Sequence, residues 1–172
     1  MPVRSIIVYP DPQLKLVSAP VDPDNDDLTS LIQDLVDTMN DAPGCVGVAA
    51  PQIGVKKRVM VIDASRNKRV ESRLGFRIVI NPLLVSQEGE VIAREGCLSL
   101  PDLTANVKRA KEIEFDALDE NFVSSRLSAS DFEARLILHE IDHFDGVLFL
   151  DRVASLKTDV FRRKRYSAHE SR

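Results

Sequence analysis

The stretch "SDFEARLILHEIDHFDG", residues 130–146, decides the fold. Phe132, Leu136, His139 and His143 stand at i, i+4, i+7 and i+11, one stripe of a 3.6-residue period. Ala134, Ile137, Leu138 and Ile141 widen the apolar surface, so the spacing predicts a helix over 131–144, buried on most sides. Ser130 and Glu133 match an S-x-x-E capping box at its start, and Gly146 follows as a stop. Inside the helix, "HEIDH" sets His139 and His143 on one face, where both imidazoles can aim at one point. Glu140 lies beside them, placed to handle a proton on a metal-bound water. The chain has 3 histidines and 10 glutamates in 172 residues; at that composition a chance H-E-x-x-H has a probability of about 0.003. A plain core helix with two satisfied histidines explains neither Glu140 nor the scarcity of histidine elsewhere.

Working outward, residues 1–26 are rich in Pro and Asp and read as an irregular arm with a short strand at 6–9. Leu28, Leu31, Ile32, Leu35, Val36 and Met39 give an amphipathic helix over 27–41. Strands are expected at 58–65, at 76–86 with a break at Asn81-Pro82, and at 89–97, 104–110 and 113–120. "DENF" at 119–122 is a hairpin-turn candidate. A last helix over 155–167 carries "RRKR" at 162–165. Strands grouped between helices, without strand–helix alternation, give an α+β class. Antiparallel strands are expected to pack around the central metal-bearing helix, with the amphipathic helix on the N-terminal side and another helix at the C-terminal end.

Length and composition are those of one globular domain spanning 1–172, with 44% hydrophobic and 29% charged residues. A net charge of −4 excludes a global nucleic-acid signature, and no specific DNA partner is expected. No apolar run approaches a membrane span, and the first residues are too short in apolar run for a signal peptide. A cytoplasmic protein is expected, or the mature form of an organellar one. There Cys45 and Cys97 are free thiols, metal ligands or catalytic groups rather than a disulfide.

An open zinc-type site takes three protein ligands and one water. Downstream of His143, Asp145, Asp151, Asp159 and Glu170 are candidate third ligands, as in metallopeptidases. Upstream, "EGCLSLP" at 95–101 offers Cys97; a thiolate with two imidazoles makes an open tetrahedral set. Gly96 permits close approach of a ligand backbone. "CVGVAAPQIG" at 45–54 is small, apolar and turn-forming, and its Gln52 can donate to a developing oxyanion. A non-catalytic metal or peptide binder is a third reading, against which Glu140 argues.

Taken together and in this order, "CVGVAAPQIG", "EGCLSLP" and "HEIDHFDGVLFLDR" resemble the motifs of the peptide deformylase family, and "VYPDPQLKLVSAPV" resembles its opening segment. The resemblance covers residues 2 to about 155. It implies that Cys97, His139 and His143 bind one divalent metal, natively ferrous iron, with zinc, nickel or cobalt also accepted. It implies that Glu140 is the general acid/base and that Gln52 and the Leu98 N–H form the oxyanion hole. The backbones of Val46, Gly47 and Gly96 would pair with an extended peptide, and Val46, Phe132 and Leu136 would line a methionine pocket. The implied reaction removes the formyl group from N-formylmethionyl nascent chains, releasing formate. The C-terminal basic helix would make weak ribosome contact. Two departures stand out: Cys45 occupies the first Gly of the family's G-x-G, and Leu138 stands where Gln is frequent.

Overall fold

In the computed structural model, which describes residues 3–163, the helix expected over 131–144 is present as Asp131–Phe144. We number it α2, after α1 at Thr29–Asp41. The class is α+β, with both helices packed on antiparallel sheets. One sheet has the order β1 (Gly47–Ala49), β2 (Val59–Asp63), β3 (Phe76–Glu88), β6 (Glu112–Leu118), β7 (Ser124–Ser130). The other has the order β4 (Val91–Cys97), β5 (Leu100–Arg109), β8 (Val160–Arg162). Among the described residues no helix is long and apolar enough to cross a membrane.

From Glu133 to Phe144 every residue of α2 except Arg135 is buried. Its apolar side chains, Ala134, Ile137, Leu138, Ile141 and Phe144, pack with Met60, Ile62 and Phe115 of the larger sheet. The capping box does not form. Ser130 makes no side-chain cap. Glu133 instead accepts from Ser72 Oγ at 2.8 Å and from the Arg73 and Leu74 N–H groups, each at 3.2 Å. Several donors on one buried carboxylate outweigh a single capping bond. At the other end Gly146 has φ +70°, and a Cβ there would lie 2.3 Å from the Lys15 carbonyl oxygen. The N-terminal arm therefore lies directly on the helix terminus, with the Ser18 N–H on the Phe144 carbonyl at 2.8 Å.

Three other expectations need correction. Residues 6–9 form no sheet strand; the Ile7 and Tyr9 N–H groups instead donate to the Gln52 and Ser99 carbonyls, each at 2.8 Å. Asn81-Pro82 does not break the strand but makes a bulge within β3. Asn81, at φ +49°, gives its side chain to both Val21 backbone groups at 2.8 and 2.9 Å, replacing ladder partners. The turn expected at 119–122 does close a hairpin, and its second strand is β7. The helix expected at 155–167 is absent over its described part: Val160–Arg162 pairs with Leu103–Ala105 as β8. Val160 and Phe161 suit a pleated surface, and the free edge of β5 supplies backbone partners. Residues 164–167 lie outside the described residues.

α1 packs Leu35 and Met39 with Val48, Val59 and Val61, which holds β1 from behind. Leu14, Leu100, Val107, Leu148 and Phe149 fill a third cluster beneath the smaller sheet. The turn from β4 into β5, at 97–100, is thereby pressed toward α2.

Candidate metal centre

The Cys97, His139 and His143 donor atoms lie within 4.8 Å of one another, and all three residues are buried. Strand β4 delivers the thiol; successive turns of α2 deliver the imidazoles. Cys97 Sγ is 3.4 Å from His143 Nε2, and the two imidazole rings meet edge to face at 5.2 Å. Burial alone would raise the Cys97 thiol, but the charges of His143 and His139 outweigh it and hold the thiol well below its ordinary value. His139 is held well above its ordinary value: burial opposes its cation, and Cys97 and Glu95 favour it. A thiolate beside imidazoles is the donor set of a soft, tetrahedral divalent ion. The group fits one metal. The downstream carboxylates do not join it. Asp145 pairs with Arg58 at 2.9 Å, Asp151 pairs with Lys15, and Asp159 accepts from the Ser155 N–H at 3.0 Å. Glu170 lies outside the described residues.

Behind these three residues runs a largely buried ionic chain that the sequence reading did not contain. His139 Nδ1 donates to Glu95 Oε2 at 2.9 Å. Glu95 takes both Nε and Nη2 of Arg109, the latter at 2.9 Å. Arg109 Nη1 reaches Asp142 at 2.8 Å, and Arg152 closes on Asp142 through Nε and Nη2. Burial works against the charge on Glu95, but His139 and Arg109 bring its carboxyl down to about 2. A carboxylate on Nδ1 fixes the ring and leaves Nε2 to face a metal. One signal was available: Glu95 and Cys97, two apart on a strand, share a face, and a carboxylate buried beside a ligand needs partners.

The remaining expected residues border one cavity of about 290 Å³. Val46, Gly47 and Gln52 form one side; Gly96, Cys97 and Leu98 another; Phe132, Leu136, His139 and Glu140 the helix side. Glu140 Oε2 is buried without a hydrogen-bond partner. Burial pushes its carboxyl above the ordinary value, opposed by His139 and His143. A Cβ on Gly47 would lie 2.8 Å from Leu136 Cδ1 and 3.1 Å from Glu140 Oε1, so glycine leaves that carboxylate its room. Gln52 is buried; its Oε1 accepts from the Ala49 N–H at 3.0 Å, and its Nε2 faces Cys97 Sγ at 3.4 Å and Ser99 Oγ at 3.2 Å. Cys45, the departure at the cavity edge, points its thiol to the Gly47 carbonyl at 3.2 Å, and burial pushes it up to about 11. It is a protonated packing residue at neutral pH rather than a reactive thiol.

Comparison with known proteins bears on the chain as a whole. The family model described as polypeptide deformylase matches residues 3–159. A peptide deformylase of Thermodesulfovibrio yellowstonii is 40% identical over 164 residues, 95% of this chain and 97% of the relative. The crystal structure of a peptide deformylase from Legionella pneumophila superposes with a TM-score of 0.81 at 39% identity, covering 91% of this chain and 89% of that one. A Met-Ala-Ser-bound class I type b peptide deformylase from Acinetobacter baumannii gives a TM-score of 0.81 at 29% identity, covering 88% of this chain and all of that one. With the matched model spanning nearly the whole sequence, the chain belongs to the polypeptide deformylase family.

Proposed function

We propose that the chain works as a single catalytic domain, a metal-dependent hydrolase that removes the formyl group from N-formylmethionyl nascent chains in the cytoplasm. The observation that carries this reading is the convergence of one thiol and two imidazoles beside a carboxylate oxygen that has no partner. Cys97, His139 and His143 would hold one divalent ion, so that α2 is the metal-bearing helix at the centre of the fold and the amphipathic α1 braces β1. Ferrous iron is the native ion we assign; zinc, nickel or cobalt would suit the same donors.

When bound, the ion supplies Lewis acidity and lowers the pKa of water to about 7. Glu140 Oε2 takes the proton of the attacking water and later gives it to the departing amine nitrogen. Gln52 Nε2 and the Leu98 N–H donate to the formyl oxygen as charge builds there. To do so Gln52 turns an N–H from Cys97 or Ser99. The C–N bond breaks, one water is consumed, and formate and a free amine leave. Val46, Gly47 and Gly96 offer backbone to an extended peptide, and Val46, Phe132 and Leu136 line the methionine pocket. The Met-Ala-Ser carried by the Acinetobacter baumannii relative supports a peptide that begins with methionine.

Two variants test these assignments. Cys97→Ser is expected to lose its metal, measured by elemental analysis; full retention would favour a peptidase with a downstream ligand instead. Gln52→Leu is expected to lower kcat about 10²-fold, the worth of one oxyanion donor; unchanged turnover would remove Gln52 from the mechanism. Weak ribosome contact belongs to the basic run from Arg162, which is exposed on β8. Arg162→Glu with Lys164→Glu is expected to reduce co-sedimentation with ribosomes at low salt, and unchanged co-sedimentation contradicts the assignment.

A further inference from the structure

Three guanidinium groups, Arg94, Arg135 and Arg163, border the mouth of the cavity. Arg135 comes from α2, one turn before His139, and lies 5.7 Å from the Phe132 ring. Arg94, on β4, is held by Asn106 Oδ1 at 3.0 Å and Thr104 Oγ1 at 3.3 Å, and stacks on Phe161 at 3.7 Å. Arg163 follows β8, with its N–H on the Asp102 carbonyl at 2.8 Å. Its guanidinium covers Gly96 so closely that a Cβ there would lie 2.9 Å from Nη2. The strand that stands in place of the expected helix therefore supplies the ring beneath Arg94, and the residue directly after it is Arg163.

Among the described residues these charges meet no carboxylate, unlike the other arginines that follow. Arg4, Arg58, Arg109, Arg126 and Arg152 each meet a carboxylate. Among the described residues no ion pair is formed by Arg94, Arg135 or Arg163. The nearby Glu95 is committed to Arg109 and His139. On a chain of net charge −4 the mouth is locally positive. A guanidinium fork matches a carboxylate in two parallel hydrogen bonds.

We infer that Arg94, Arg135 and Arg163 form a carboxylate-reading rim, which makes the enzyme favour formylmethionyl peptides with negative charge in the residues just after methionine. The inference rests on the deformylase reading: a peptide whose formyl group reaches the metal leaves the cavity past this rim. The carboxylate is either an Asp or Glu side chain or the free terminus of a short peptide.

The test uses metal-loaded enzyme and formyl-Met-Ala-Xaa-amide peptides, with Xaa as Asp, Asn or Lys. Formyl-Met-Ala-Ser is added as free acid and as amide. The Asp peptide is expected to exceed the Lys peptide in kcat/KM roughly fivefold to tenfold at low salt, the sum of a few partly exposed ion pairs. The ratio falls as salt rises. The double variant Arg135→Gln, Arg163→Gln brings it toward one. Each ratio is taken within one preparation, so lost metal or lost fold does not imitate the effect. An advantage confined to the free acid assigns the rim to chain termini; one confined to Asp assigns it to side chains. Formate release from all peptides at equal rates, or a ratio that the double variant leaves intact, overturns the rim alone. No formate from any peptide overturns the deformylase reading and the rim with it.

Discussion

Glu140→Gln is expected to lower kcat for formyl-Met-Ala-Ser about 10³- to 10⁴-fold while the protein keeps its metal. The amide matches the carboxylate in shape, so packing against Gly47 and Leu136 survives. It has no basic oxygen, and the proton of the attacking water then has no acceptor; the upper range of general acid–base catalysis measures that loss. Metal retention follows because the cluster that fits an ion is Cys97, His139 and His143, without Glu140. Turnover near wild type would take Glu140 out of the chemistry, and loss of metal would make it a ligand. Rapid-quench formate assays with metal analysis on the same sample read both.

Arg109→Leu has the largest expected effect on stability, a loss of about 3–5 kcal/mol, as when one partner of a buried ion pair is removed. The Arg109 side chain is 3% exposed and serves two carboxylates. Asp142 keeps Arg152, but Glu95 retains only His139. Chemical denaturation checks the loss. The pH dependence has a definite sign. A carboxyl depressed from 4.5 to about 2 contributes stability that is full above pH 4.5 and is lost as pH falls toward 2. Without Arg109 that carboxyl titrates higher, so acid unfolding begins at a higher pH than in the wild type. Metal affinity should also fall, by roughly 10- to 100-fold, because the group that orients His139 is loosened. A variant as stable as wild type, with unchanged acid unfolding, would show that the buried chain contributes nothing.

What the sequence disclosed followed from how local each signal is. α2 was readable because its apolar stripe and its histidines share one period, and a buried helix repeats that period for four turns. The clustering of Cys97, His139 and His143 was legible through two short motifs, each placing its residues within a few positions. The ionic chain was not readable because its contacts join β4, β5, α2 and the segment at 149–152, and no local spacing encodes them. β7 escaped notice because only Ala129 of its seven residues is buried, leaving almost no apolar alternation. β8 was mistaken for helix because three residues carry little period of either kind; the open edge of β5 decided the outcome. The capping box failed where a tertiary partner, the 72–74 segment, outcompeted a local one.

Anaerobic turnover of formyl-Met-Ala-Ser by the wild-type chain, with formate release and metal content read together, decides whether the chain is a metal-dependent deformylase. Fast formate release is expected from protein carrying about one divalent ion per chain. Protein loaded with iron or nickel to that ratio that releases no formate would show that the chain is not a deformylase.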